Sequence, residues 1–158
     1  MLKMVVGDIV FFKGQTWISK IISKLTGSPY THVGIVLSDN KILEANRFIK
    51  TRIRSIKDSE IYIVMRCNLT EEQKKLIYTN SHNFIGIGYD YLEIAEWFFK
   101  LSINYKGYGF VNNANRVYCS ELIDLVFKSA GIDLVPNRVD GDVLPVHLLN
   151  SPLLKKVI

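Results

Sequence analysis

Three of the 158 residues could together carry covalent chemistry: Cys119, His32 and Glu44. A thiolate attacks carbonyl carbon, an imidazole takes and returns the proton, and a carboxylate fixes the imidazole tautomer. Cys119 lies in the run from Tyr118 to Phe127. Leu122, Leu125 and Val126, with the flanking Ala130, recur at helical spacing, so the run predicts an amphipathic helix with Gly131 as its stop. That places the cysteine in the first turn, where backbone N–H groups lack intrahelical partners and the helix dipole favours an anion. Such a position favours the nucleophilic thiolate. A small thiol at a helix start is also a common packing choice, so position alone does not make a nucleophile.

Of the three histidines, His82 falls near the end of an expected surface helix and His147 in a proline-rich tail. His32 opens an apolar strand just after the turn Gly27-Ser28-Pro29, a rigid and reachable place for a general base. Glu44 follows on the other side of the turn Ser38-Asp39-Asn40-Lys41, so a hairpin brings it to the same end as His32. Its surroundings, Ile42-Leu43 and Ala45, are apolar, and a carboxylate there needs a partner. Lys41 and Arg47 are the competing partners in the sequence.

The elements that must hold these residues read as strands first and helices later. Strands are expected from Gly7-Asp8 into Phe12, over Tyr30–Leu37, over Ile42–Asn46, over Ile49–Ile56 and over Ile61–Met65. In the fourth, Lys50, Arg52 and Arg54 alternate with apolar or small residues, which reads as a solvated basic face. A helix is expected over Thr16–Leu25, with Trp17, Ile18, Ile21, Ile22 and Leu25 as core and Lys20 and Lys24 opposite. Thr70-Glu71-Glu72-Gln73 is a capping box that opens a helix to about Asn83. An aromatic helix over Asp90–Lys100, with Trp97, Phe98 and Phe99, precedes a polar loop over Asn104–Asn115 holding Tyr105, Tyr108 and Phe110. The tail after Ile132 reads as mostly irregular, with a short last strand over Leu154–Ile158. This is an α+β order around one antiparallel sheet, in a chain of a size to form one domain, residues 1–158.

Composition narrows the class. Hydrophobic residues make up 48% and charged residues 22%, the balance of a globular chain. The net charge of +5 permits an anionic partner without requiring one, and the basic residues are scattered except for Lys50 to Lys57, which argues against a specific nucleic-acid partner. Cys67 and Cys119 are too few for a disulfide framework, and Cys67 reads as a core thiol. The first residues lack the apolar stretch of a signal peptide, and no window reaches the length of a membrane span. A reduced, cytoplasmic protein is the expectation, with peripheral membrane contact open and the oligomeric state unread. No Cys/His spacing suggests zinc, Gly86-x-Gly88 lacks the rest of a dinucleotide fingerprint, and no cofactor or metal is expected.

Three segments together carry a resemblance: Tyr30-Thr31-His32-Val33-Gly34-Ile35-Val36, Ile42-Leu43-Glu44-Ala45 and Tyr118-Cys119-Ser120-Glu121-Leu122. They are similar to the signature segments of the circularly permuted branch of the NlpC/P60 papain-like superfamily, in particular the YiiX/YaeF-type amidases. Gly7-Asp8-Ile9-Val10 and Gly88-Tyr89-Asp90-Tyr91 add to the likeness. The histidine precedes the cysteine, as in the permuted group. The resemblance implies a permuted papain-like fold, a central antiparallel sheet or small barrel packed against helices. It also implies a cysteine amidase or peptidase with Cys119 as nucleophile, His32 as base and Glu44 as third polar group. The oxyanion would be held by the Cys119 backbone N–H and a second donor, for which Tyr30 and Tyr118 are candidates. An acyltransferase or lipid esterase of the same superfamily and a non-catalytic peptide- or lipid-binding module are the alternatives. Glu44 and Tyr118-Cys119-Ser120 resemble the amidase group more than the lipid branch, which typically has a histidine third residue and an asparagine-cysteine pair at the nucleophile.

Overall fold

Six strands lie side by side, each antiparallel to its neighbour, in the order β4-β3-β2-β1-β5-β8. They are β1 Ile9–Lys13, β2 Tyr30–Ser38, β3 Lys41–Glu44, β4 Arg52–Ser55, β5 Tyr62–Cys67 and β8 Leu154–Lys156. The sheet is open, so the barrel alternative gives way to a plain sheet. This computed structural model describes residues 3–45, 50–89, 116–138 and 142–158. The expected aromatic helix over 90–100, the loop over 104–115 and Arg47 lie outside them.

The helices are α1 Trp17–Thr26, α2 Glu71–Ser81, α3 Cys119–Lys128 and α4 Pro145–Leu149. Thr16 and Thr70 cap the first two with reciprocal bonds to Ser19 and Gln73, which satisfies N–H groups that would otherwise lack partners. Gly27 ends α1 in the left-handed region at φ 67°, which a side chain would resist. Pro145 starts α4 at a position where its missing N–H costs nothing; this helix was not legible in the tail. A second departure is a parallel pair, β6 Gly88–Tyr89 with β7 Arg116–Val117, where a loop was expected.

One face of the sheet carries Ile9, Phe11, Val33, Ile35, Leu37 and Leu43 into a core shared with Leu122, Ile123, Val126 and Phe127 of α3. Helix α3 crosses β2, and α4 also rests on that strand. The other face carries a smaller cluster around Val10, Phe12, Val36, Ile42 and Val64. Cys67 is buried in the larger core, as its strand-end position suggested. At the far end of β1 from His32, buried Asp8 accepts two bonds of 2.7 Å from Arg66, a structural anchor for the Gly7-Asp8 turn.

Two sequence expectations fail here. Three of the apolar positions of α1 are not core: Trp17 is 71% exposed, Ile21 44% and Leu25 42%. The helix instead turns its small Ser19 inward, because Gly14 and Thr31 approach so closely that a Cβ at Gly14 would collide with Ser19 and Thr31. In β4 the expected faces are reversed. Arg52 and Arg54 point inward, and Ile53 is the exposed residue. The cause is Glu44, which lies opposite Arg52 in the β3–β4 register and draws both guanidinium groups over it.

The β2–β3 hairpin depends on one close approach. A Cβ on Gly34 would stand 2.8 Å from Ile42 Cδ1 and 3.2 Å from the Leu43 carbonyl oxygen. Gly34→Ala should therefore cost about 1–3 kcal/mol in a denaturant titration, as overpacking does, and should shift Glu44 relative to His32.

Candidate active site

His32 enters from the third position of β2, paired with Phe12 of β1. Its ring lies 5.8 Å from the Phe12 ring, centroid to centroid, so Phe12 forms a floor beneath it. Just past this pair the β1–β2 register shifts between Phe12 and Lys13, and the bulge re-aims the strand end. Glu44, at the end of β3, is 1% exposed. His32 Nε2–H donates to Glu44 Oε2 at 2.9 Å. With Nε2 engaged there, Nδ1 is the ring nitrogen left for the thiol. Cys119 is near enough to the His32 ring to favour its charged form, so the three residues act as one cluster.

Helix α3 presents Cys119 as its first residue, 6% exposed. Its two neighbours fix that position. Tyr118 Oη accepts from the Val143 N–H at 3.0 Å, and Ser120 Oγ donates to the Val143 carbonyl at 2.6 Å. The segment Tyr118-Cys119-Ser120 thus holds both backbone groups of one residue, Val143. Glu121 Oε2 accepts from the Tyr118 N–H at 3.4 Å, a carboxylate at the positive end of the helix. Tyr118 Oη accepts from Val143 and keeps its own O–H as a donor, and Tyr30 stands two residues from His32 at the start of β2, partly buried against the larger core.

Two residues of the site were read differently in the sequence. Arg52 Nε and Nη2 donate to Glu44 Oε1 at 3.2 and 3.1 Å, and Arg54 Nε reaches the same oxygen at 2.8 Å. Arg54 is 15% exposed, lies 5.1 Å over the Phe12 ring, and is held by a two-point pair with Glu60 at 2.8 Å each. The signal for this was the period-two spacing of Arg52 and Arg54, which the β3–β4 register turns toward Glu44. The other histidines are occupied elsewhere. His82 lies 4.9 Å from the Tyr78 ring and bonds the Tyr78 carbonyl, and His147 Nδ1 accepts from the Leu144 N–H at the start of α4. Among the described residues, no group of three or more His, Cys, Asp or Glu is placed to hold a metal ion.

These contacts set the charges. Burial alone disfavours the imidazolium, but the hydrogen bonds and charges of Cys119 and Glu44 outweigh it, and His32 rises from 6.5 to about 9. Burial likewise disfavours the Glu44 carboxylate, yet His32 and Arg54 hold it ionised, well below the usual carboxylate range. Burial opposes the charge on Arg54 too, and its bonds to Glu44 and Glu60 raise it further. The raised His32 value has a stability consequence. The fold prefers the imidazolium, so its contribution is complete below about pH 6.5 and is lost as pH rises toward about 9. Urea midpoints at about pH 6 and about pH 9.5 should differ by on the order of 3 kcal/mol more in the wild type than in His32→Gln. An equal slope in both would mean that the imidazolium is not held.

A model of the permuted papain-like amidase family YaeF/YiiX, C92, matches residues 3–157. The chain belongs to this family. Its members are papain-like amidases, a cysteine-peptidase class of enzyme, and this chain is one of them. The fold is similar to that of the crystal structure described as metalloprotein yiiX from Escherichia coli O157:H7. The TM-score is 0.75 and the identity 20%, with 99% of this chain and 98% of that chain covered. Comparison with curated protein sequences returned no match. Among the described residues, no helix of this amidase is long and apolar enough to cross a membrane.

Proposed function

We propose that this amidase cleaves a peptide or cell-wall-peptide-like amide through a thioester on Cys119. The observation that carries the reading is the buried 2.9 Å His32–Glu44 pair, with Cys119 at the start of α3 near enough to favour the imidazolium. The Cys119 thiolate attacks the carbonyl carbon, and the oxygen takes up the negative charge. The Cys119 backbone N–H, free of an intrahelical partner in the first turn, faces that oxyanion, with Tyr30 or Tyr118 as the second donor. The His32 imidazolium gives its proton to the leaving nitrogen, the C–N bond breaks and the amine departs. Neutral His32 then takes a proton from water, which attacks the thioester and returns the thiolate and the imidazolium. An amine or alcohol in place of that water gives acyl transfer instead. Glu44 keeps Nδ1 turned to the sulfur and stabilises the imidazolium between the two steps.

We take residues 1–158 as one such domain of the permuted NlpC/P60 type, working in a reducing compartment. The free Cys67 and Cys119 thiols support that placement. The test is a rapid acid quench of the protein turning over an activated acyl substrate, followed by peptide mapping by mass spectrometry. The acyl mass is expected on Cys119 alone. Turnover with no acyl mass on Cys119, or with it on another residue, contradicts the mechanism.

A further inference from the structure

We infer that the exposed face of α1 is a docking surface for an anionic phospholipid bilayer. The face is built from Trp17, Lys20, Ile21, Lys24 and Leu25, all exposed. Trp17, Ile21 and Leu25 recur four residues apart and line one side of the helix. A large indole left 71% exposed is a poor way to end a core and a common way to enter a membrane interface. Lys20 and Lys24 flank the apolar stripe, and their long stems can lie along it while the ammonium groups reach the phosphates. The choice of an anionic surface over a second apolar partner comes from charge. No Asp or Glu occurs from Ile9 to Ser38, whereas Lys13, Lys20 and Lys24 do, and Lys13 is exposed at the end of β1. Nothing acidic on α1 or on the strands at either side of it in sequence repels a phosphate headgroup.

The placement bears on the substrate. Helix α1 runs through Gly27-Ser28-Pro29 directly into β2, whose third residue is His32. Ser19 and Gly14 lock the helix against Thr31, the neighbour of His32. A bilayer seated on α1 therefore lies beside the site, and the amide to be cleaved is one attached to a membrane lipid. This second step rests on the cysteine-amidase reading; the docking does not.

The test uses the full chain with Trp97→Phe, which leaves Trp17 as the fluorescent reporter. Phosphatidylcholine vesicles with phosphatidylserine should shift Trp17 emission to the blue and co-sediment the protein. Phosphatidylcholine alone, or high salt, should not. Lys20→Glu with Lys24→Glu should weaken binding at least about tenfold, since each basic residue near such a surface contributes several-fold. Trp17→Ser with Ile21→Ser should do the same, and both variants should keep the wild-type circular dichroism because the face is exposed. Cys119→Ala should bind as the wild type does, so that lost catalysis and lost docking read out separately. Three results overturn the proposal: no binding to the anionic vesicles, binding indifferent to these substitutions, or a Trp17 already shielded from acrylamide in the lipid-free protein. A concentration-dependent dimer abolished by Trp17→Ser would assign the face to a second copy and overturn it as well.

Discussion

Cys119→Ala is expected to lower kcat/KM by roughly 10⁴-fold or more, whatever amide substrate is used. The variant removes the atom that forms the thioester. Cys119 is buried in the larger core, and alanine keeps its Cβ there. The start of α3 stays anchored through Tyr118 and Ser120 on Val143, so the melting temperature should move by only a few degrees. Cys119→Ser should be nearly as inactive, since a serine hydroxyl beside an imidazolium is not ionised at neutral pH. Turnover within tenfold of the wild type in either variant would mean that another group attacks the substrate.

Glu44→Gln should be the second most damaging change, and it should damage two things. Activity is expected to fall roughly 10²- to 10⁴-fold, because an amide cannot stabilise the imidazolium or enforce its tautomer. The fold is expected to lose about 3–5 kcal/mol, the cost of breaking a buried ion pair from one side. The side chain is 1% exposed and carries Arg52, Arg54 and His32 on its two oxygens. Neutralising it takes the carboxylate from Arg52 and leaves Arg54 with Glu60 alone. The two losses can be separated by Arg54→Met. In the wild-type background this variant should lower activity by loosening Glu44, whereas in the Glu44→Gln background it should restore part of the stability. Additive stability effects of the two substitutions would show that Arg54 does not act through Glu44.

How much of this could be read from residues alone depended on the distance over which each signal acts. Local signals held: the Thr70 cap, the turn over Ser38–Lys41, the helix beginning at Cys119 and the short strand near the C-terminus all follow from neighbouring residues. The hairpin was local too, which is why His32 and Glu44 could be brought together on the page. The failures were matters of tertiary packing. Whether β4 faces water or Glu44 depends on its register against β3, and a period-two pattern cannot say which side is wet. Trp17, Ile21 and Leu25 have the spacing of a core stripe, and only the neighbours of α1 show that the helix buries Ser19 and leaves these three exposed. The partnership of Tyr118 and Ser120 with Val143 spans more than twenty residues, and no local pattern encodes it. The family signature reached further than periodicity because it marks residues held by such distant contacts.

The claim at the centre of this account is that His32 activates Cys119, and the rate of iodoacetamide alkylation tests it most directly. Cys67→Ala supplies a background with Cys119 as the single thiol. In that background Cys119 should react readily at neutral pH, and His32→Ala should slow it at least about tenfold, since the thiolate is the reacting species and the imidazolium stabilises it. Glu44→Gln should fall between the two. Equal rates with and without His32 would contradict the account, because the thiol and the imidazole would then be neighbours without being partners.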